Sequence, residues 1–382
     1  MKVGLLTYHF SDNYGALYQA FGLRQWFIDR GHDAEFINYH PSYVEEGGPL
    51  DRPWKPSLWR KNATIAYMWA SHIQRNLLGD RAQKRGFEAF RRTYLGATGR
   101  RLKTAEDLGS VVGRYDLLVC GSDQIWNPSI QRGLDPVYFL AIPGSEDVRK
   151  IAYAPSFGRT SIESEHLGEL HALASQLDGI SVREETGLDI LADAGISPER
   201  VHVVPDPTIL LGNFDMLARK KAPSDEVVFC YALRTDEVIR DVAGRVAAKL
   251  ELPLVSARSS RQRWSDIGEG ISPTPVEWLQ SLANSAFVVS NSFHGVALSV
   301  IHRKPFIAVK LPGKRAGMNA RVENLLDQIG LSWRLVDADD ADNAAKLVDM
   351  QIDWDAVGSK LTDLRCTGEL FLQSQSVTVA PR

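Results

Sequence analysis

The apolar run Ala286 to Val289 passes through Ser290-Asn291-Ser292-Phe293-His294-Gly295 into Val296-Ala297-Leu298, the pattern of a strand turning directly into a helix. A histidine at a helix N-terminus has its protonation tuned by the dipole and can face an anion across the free backbone N–H groups. His294 could serve there as a general acid or a phosphate ligand, against the plainer role of a structural hydrogen-bonding residue. Two more loops leave apolar strands in the same way. Ser11-Asp12-Asn13-Tyr14-Gly15 opens the first helix; it is either an anion- or hydroxyl-binding turn or a well-capped strand-to-helix turn with Gly15 needed for close packing. Cys120-Gly121-Ser122-Asp123-Gln124-Ile125-Trp126-Asn127-Pro128 carries four side chains suited to sugar hydroxyls, and Trp126 could stack on a sugar ring or sit in the core. Arg183, Arg234, Lys314, Arg315 and Arg321 also follow predicted strands, and arginine forks grip carboxylate or phosphate. The histidines show no HxH or HExxH spacing and no GxSxG elbow occurs, so neither a metal site nor a serine nucleophile is expected.

The elements that must hold these loops read as two runs of alternating strand and helix. Strands are predicted at Val3 to Tyr8, Ala34 to Tyr39, Tyr115 to Cys120, Lys150 to Ala154, Gly179 to Val182 and Val201 to Val204. A second series follows at Val227 to Leu233, Leu254-Val255, Ala286 to Ser290 and Phe306 to Val309, with helices over Asp236 to Leu250 and from about Val296 to Arg303. The expected architecture is α/β, two doubly wound sheets facing across a cleft, with ligands beyond the carboxyl ends of the strands. Residues 1–215 are expected to form the first domain, with a basic helical insertion at about 55–103. Residues 216–345 are expected to form the second, and 346–382 a helix and a poorly ordered tail after about Thr367. The polar stretch from Arg219 to Glu226 reads as a hinge.

A chain of 382 residues with 44% hydrophobic and 24% charged residues is an ordinary folded protein, and its net charge of −3 selects no partner. Cys120, Cys230 and Cys366 lack disulfide or zinc spacing, which fits a reducing compartment. The N-terminus turns polar too soon for a signal peptide and no apolar run spans a membrane, so a cytoplasmic location is expected. From Arg60 to Lys103, eleven Lys and Arg residues face only Asp80 and Glu88, interleaved with Ile65, Met68, Trp69, Ile73, Leu77 and Leu78. This pattern is either a solvated helical face or a basic amphipathic element for anionic lipid at the inner membrane face or for an acidic glycan. Nucleic acid is disfavoured by the slightly acidic whole.

Together, Asn13-Tyr14-Gly15-Ala16, Gly121 to Asn127, Ala152-Tyr153-Ala154-Pro155-Ser156-Phe157-Gly158, Ser181-Val182-Arg183-Glu184, Asp206-Pro207 and Ser292-Phe293-His294-Gly295 resemble the polysaccharide pyruvyl transferase family over roughly residues 1 to 335. The resemblance implies a GT-B-like pair of Rossmann-type domains. It also implies transfer of pyruvate from phosphoenolpyruvate, a co-substrate rather than a cofactor, to a bacterial surface or exopolysaccharide sugar as a ketal. The acceptor would be lipid-linked or nucleotide-linked. His294 resembles the family histidine that contacts the donor as its acid, and Arg183 and Lys314 its anion ligands; Asp206 is the candidate base. The donor site is then expected to hold Arg183, Arg234, Ser292, Gly295, Lys314, Arg315 and Arg321, and the acceptor site Asn13, Tyr14, Gly15, Ser122, Asp123, Gln124, Trp126 and Asn127. Many family members carry Arg two residues before the histidine; here the position is Ser292, leaving Arg234, Arg315 or Arg321 to supply that charge. The competing readings are a GT-B glycosyltransferase using a nucleotide sugar and a noncatalytic glycan-binding protein. The absence of Glu between Glu277 and Glu323 counts against the first.

Overall fold

Each predicted apolar run becomes a short parallel strand. The computed structural model describes residues 1–45, 50, 52–78, 80–131, 133–218, 226–258, 267–337, 339 and 341–377. β1 (Lys2–Leu6), β2 (Asp33–Phe36), β3 (Leu117–Cys120), β4 (Arg149–Ala152), β5 (Gly179–Val182) and β6 (Val201–Val203) form one sheet in the order β2-β1-β3-β4-β5-β6. β7 (Val228–Tyr231), β8 (Leu254–Ala257), β9 (Glu269–Ile271), β10 (Phe287–Ser290), β11 (Phe306–Val309) and β12 (Leu335–Val336) form the other, ordered β12-β11-β10-β7-β8-β9. All pairings are parallel. β3, β5, β7, β10 and β11 are buried at every residue, which is why they read as unbroken apolar runs rather than alternating ones. The chain is thus an α/β protein of two Rossmann-type, doubly wound domains in a GT-B-like pair.

The strand order locates the places where a ligand can sit. In an open parallel sheet the crevice opens where successive connections leave for opposite faces. In the first sheet that point lies between β1 and β3, and the loops beyond them are the Ser11 to Gly15 turn and the Gly121 to Asn127 turn. In the second it lies between β7 and β10, and the loop beyond β10 carries His294.

The helices that matter are α1 (Tyr14–Asp29), α2 (Trp59–Leu78), α3 (Arg81–Tyr94), α4 (Pro207–Leu211), α5 (Glu237–Leu250), α6 (Pro275–Asn284), α7 (Phe293–Ile301), α8 (Ala320–Ile329) and α9 (Trp354–Val377). α2 and α3 are the basic insertion, and Asp80 caps α3 by accepting from the N–H groups of Ala82 and Gln83. α7 begins at Phe293, three residues before the expected start, so His294 lies inside its first turn. α1 locks the two halves together. Tyr14 stacks on Trp278 of α6 at 5.0 Å and donates to the Pro273 carbonyl at 2.7 Å, while Tyr18 donates to Pro275 at 2.7 Å.

The expected loose tail is instead the long helix α9, which returns to the first domain. Arg365 donates to the Ile209 carbonyl, Arg30 pairs with Glu369 at 2.7 Å, and Phe371 packs near the rings of Tyr153 and His202. Phe371 and Leu372 are buried, so apolar burial beyond Thr367 holds the helix down. Residues 378–382, and all of the expected hinge but Glu226, lie outside the described residues. Replacing Phe371 with Ala should cost about 3–5 kcal/mol of unfolding free energy in urea titration; an unchanged midpoint would mean that the helix does not stabilise the first domain.

Candidate active site at the domain junction

The turn after β10 is held by its own small polar residues. Ser290 Oγ donates to the Tyr231 carbonyl at 2.7 Å and accepts from Ser292 N–H at 3.1 Å, while Asn291 accepts from Leu233 N–H and donates to the Arg234 carbonyl. These bonds join the carboxyl ends of β7 and β10 and aim α7 at the other domain. Gly295 is needed because a Cβ there would meet Ser290 Oγ at 2.2 Å. Gly15, at the start of α1, is needed for the opposite contact: a Cβ on it would stand 2.1 Å from Nδ1 of His294. The two switch points therefore meet, with His294 seated against the first turn of α1.

On its other side the ring faces Asp206, with Nε2 3.5 Å from Oδ2. Asp206 is the N-cap of α4. Its Oδ1 accepts from both the N–H and the hydroxyl of Thr208, and its Oδ2 accepts from Nη1 of Arg183 at 2.7 Å. Ser122 Oγ, which donates to the Ala154 carbonyl, also reaches Oδ2 at 3.4 Å. Arg183 follows β5, pairs through Nε with Glu184 at 3.0 Å and lies 4.8 Å over the Phe293 ring. All of His294, Asp206, Arg183 and Glu184 are at most 5% exposed.

Burial alone would raise the Asp206 carboxyl, but the facing His294 ring, Arg183 and the Thr208 N–H outweigh it and hold Asp206 well below the usual carboxylate range. Burial works against Arg183 too, yet the carboxylates of Glu184, Asp206 and Asp123 keep its pKa above the ordinary value. Arg321 of α8 is the third cation, 6% exposed; burial first, then the charge of Arg183, bring it down to about 10. Glu184, Asp123 and Asp206 pull the other way, which puts Arg321 in the same cluster. Among the described residues, three of the buried nitrogens without a hydrogen-bond acceptor belong to this cluster: Nε2 of His294, Nη2 of Arg183 and Nε of Arg321. A buried N–H left unpaired is costly, so three in one cluster outline a place for an anion.

The remaining predicted residues separate. Trp126 is in the core, fully buried and stacked on Phe139 at 4.6 Å with its N–H on the Tyr138 carbonyl, so it offers no face to a sugar. Tyr14 is spent on the domain lock, and Asn13 accepts from Ala16 N–H as the cap of α1. Ser122 is fully buried, and Asn127 donates to Gln124 and accepts from Ser129 N–H. Asp123 and Gln124 are half-buried at the β3 end, with Asp123 at φ 68°. Asp206 is a poor base: its lone pairs are occupied and its proton affinity is depressed, so the geometry makes it the partner that orients His294 instead. Ser292 is buried at the N-cap of α7 and its side chain makes no capping bond. Arg234 is half-buried beyond β7, tied to the turn through its carbonyl. The side chains of Lys314 and Arg315 lie outside the described set, although their backbone is in the short 3-10 turn Gly313–Met318. Glu184 and Thr208 were missed as site residues. Their signal was adjacency, since Thr208 stands two residues after a capping aspartate and Glu184 next to the arginine it pairs with.

Two measurements check this geometry. Gly15→Ala should displace the His294 ring and lower stability by about 1–3 kcal/mol, with the histidine's resonances shifted in the folded variant; unmoved resonances would refute the contact. Asp206→Asn should cost about 3–5 kcal/mol at neutral pH, because it strands buried Arg183. The stability Asp206 supplies is present above the ordinary carboxyl value of 3.8 and is lost as pH falls from there towards its depressed value in the fold. The gap in melting temperature between wild type and Asp206→Asn should therefore narrow below about pH 4; a constant gap would contradict the pairing.

No curated protein sequence matches the chain. Among solved structures, the glycotransferase of kitacinnamycin is similar at 13% identity and a TM-score of 0.48, over 98% of this chain and 97% of that one. The UDP-GlcNAc 2-epimerase of Methanocaldococcus jannaschii, solved with UDP-GlcNAc and UDP, is similar at 11% identity and a TM-score of 0.49, over 99% of this chain and 100% of that one. The family model for polysaccharide pyruvyl transferase matches residues 13–311, a span that runs from the cap of α1 through Arg183, Asp206 and His294 to the end of β11. With well over half its length matched, the chain belongs to the polysaccharide pyruvyl transferase family.

Proposed function

We propose that this protein moves pyruvate from phosphoenolpyruvate onto two hydroxyls of a sugar in a bacterial surface polysaccharide or its lipid-linked or nucleotide-linked precursor, forming a cyclic ketal and releasing phosphate. The observation that carries the reading is the set of buried, unpaired nitrogens on His294 and Arg183, whose side chains meet Asp206, and on Arg321, which feels the charges of Arg183, Glu184, Asp123 and Asp206. A small donor with a phosphate and a carboxylate offers the acceptors these groups lack. With Ser292 in the turn, Arg321 is the arginine that supplies the additional charge.

The chemistry follows from the donor. His294 delivers a proton to C3 of the enol, which turns C2 into an electrophile. One sugar hydroxyl adds to C2; the second replaces the C2–O bond to phosphate and closes the ketal. Of the two protons the hydroxyls release, one recharges the histidine and one leaves with phosphate, so the step balances. Arg183 and Arg321 neutralise the donor and the departing phosphate. Asp206 acts through the ring as a positioning residue: it stays ionised and faces Nε2 of His294. Acceptor hydroxyls fall to the β3 end of the first domain, where Asp123 and Gln124 are half-buried. The second domain, beginning near residue 216, takes the donor. Because the cluster is almost sealed, substrate entry requires the two domains to part.

The test is incubation with phosphoenolpyruvate and a panel of lipid-linked and nucleotide-linked sugars, following phosphate release and a product mass gain of pyruvate minus water. His294→Ala should lower kcat by about 10²–10⁴-fold, and Arg321→Ala should raise KM for phosphoenolpyruvate by about 10–100-fold. Nucleotide release without pyruvate transfer would overturn the reading in favour of glycosyl transfer.

A further inference from the structure

α2 turns an apolar face to solvent. At 100° per residue, Trp59, Ala63, Ala66, Tyr67, Ala70 and Ile73 fall within an arc of about 120°, and all six are exposed. Trp59 is 62% exposed, Tyr67 50% and Ile73 57%, while Trp54 in the preceding loop is 75% exposed. The side of the helix turned to the protein buries Asn62 and Ile65 instead. Trp59, Tyr67 and Ile73 turned outward on one arc, beside exposed Trp54, mark a surface that something covers.

Charge says what that something is. Between Asp51 and Asp80 the sequence has no Asp or Glu but carries Arg52, Lys55, Arg60, Lys61 and Arg75. On the helix, exposed Arg60 stands at one edge of the apolar arc, about 20° beyond Tyr67. Aromatic rings beside Lys and Arg on an amphipathic helix fit the boundary between lipid headgroups and acyl chains. With three cationic residues along it, α2 suits lying on a bilayer rather than crossing it, and no helix of the described residues is long and apolar enough to cross a membrane. We infer that α2, with the Trp54 loop before it, docks this protein onto an anionic lipid surface. The insertion then belongs to the acceptor-side domain for a reason: it sets that domain against the bilayer. α3 continues from it to the site, where Gln83 donates to the Tyr14 hydroxyl and Arg91 pairs with Asp12 at 2.8 Å.

The test is flotation of the full chain with vesicles of phosphatidylcholine alone or mixed with phosphatidylglycerol, with no donor or sugar present, so its failure would leave the pyruvyl-transfer reading untouched. Wild type should partition onto the mixed vesicles about tenfold more strongly than onto neutral ones, losing the preference in high salt. Trp59→Ser, Tyr67→Ser and Ile73→Ser combined should lower partitioning about tenfold or more. These side chains are exposed, and an unchanged melting temperature would show that the variant folds. Separately, Arg60→Gln with Lys61→Gln should flatten the salt dependence. Equal flotation of wild type and the triple variant would overturn the inference. So would wild type that ignores anionic vesicles but self-associates through the same three side chains, which would make a second copy the partner.

Discussion

The Asp206 carboxylate is the constraint on which the site depends. It ends the first domain's sheet by capping α4, pins Arg183 at the end of β5, and meets His294 from the second domain. Burying these charges is worthwhile only if each finds partners, because desolvation of an ion costs several kcal/mol. Asp206 and Glu184 find theirs within the fold. His294 and Arg321 do not find all of theirs, and Arg183 keeps one nitrogen over. A purely structural junction would gain by replacing such groups with apolar ones of similar shape, so the imbalance is better explained by an anion than by folding.

Much of the fold was legible because parallel strands buried on both faces have no room for polar residues. Leu117–Cys120 and Phe287–Ser290 announce themselves in that way, and Asp236 announces α5 as its cap. β9 and β12, three and two residues long at the sheet edges, carry too little pattern to read. α9 was misread from Thr367 on because Phe371 and Leu372 are spaced among polar residues, and only contact with Tyr153 and His202 explains them. In the site, strand ends identified Arg183 and His294 but could not tell Arg321 from Arg234, since exposure separates them and exposure is a tertiary property. Trp126 illustrates the reverse error. Its polar neighbours suggested a binding loop, yet its ring fills the space beside Phe139.

Two kinds of contact hold the domains together, and they differ in how they can change. The lock of Tyr14 and Tyr18 on α6 rests on ring packing and hydroxyl-to-carbonyl bonds, and the return of α9 on buried Phe371 and Leu372 with the Arg30–Glu369 pair. The contact of His294 with Gly15 is steric, and its contact with Asp206 is electrostatic and incomplete. An anion entering between them changes only the second kind.

The departure at Ser292 has a physical reading in the same terms. Burial first, and then the charge of Arg183, already bring Arg321 down to about 10, so a further cation in the pocket would meet both desolvation and like charge. A guanidinium at the N-cap of α7 would add a third beside them, with Asp206 and Glu184 as the nearest carboxylates and both already engaged. Serine at that position keeps the cap small and leaves room for α8 to deliver its arginine from the other side. Arg183 and Arg321 together then carry the buried positive charge of the cluster.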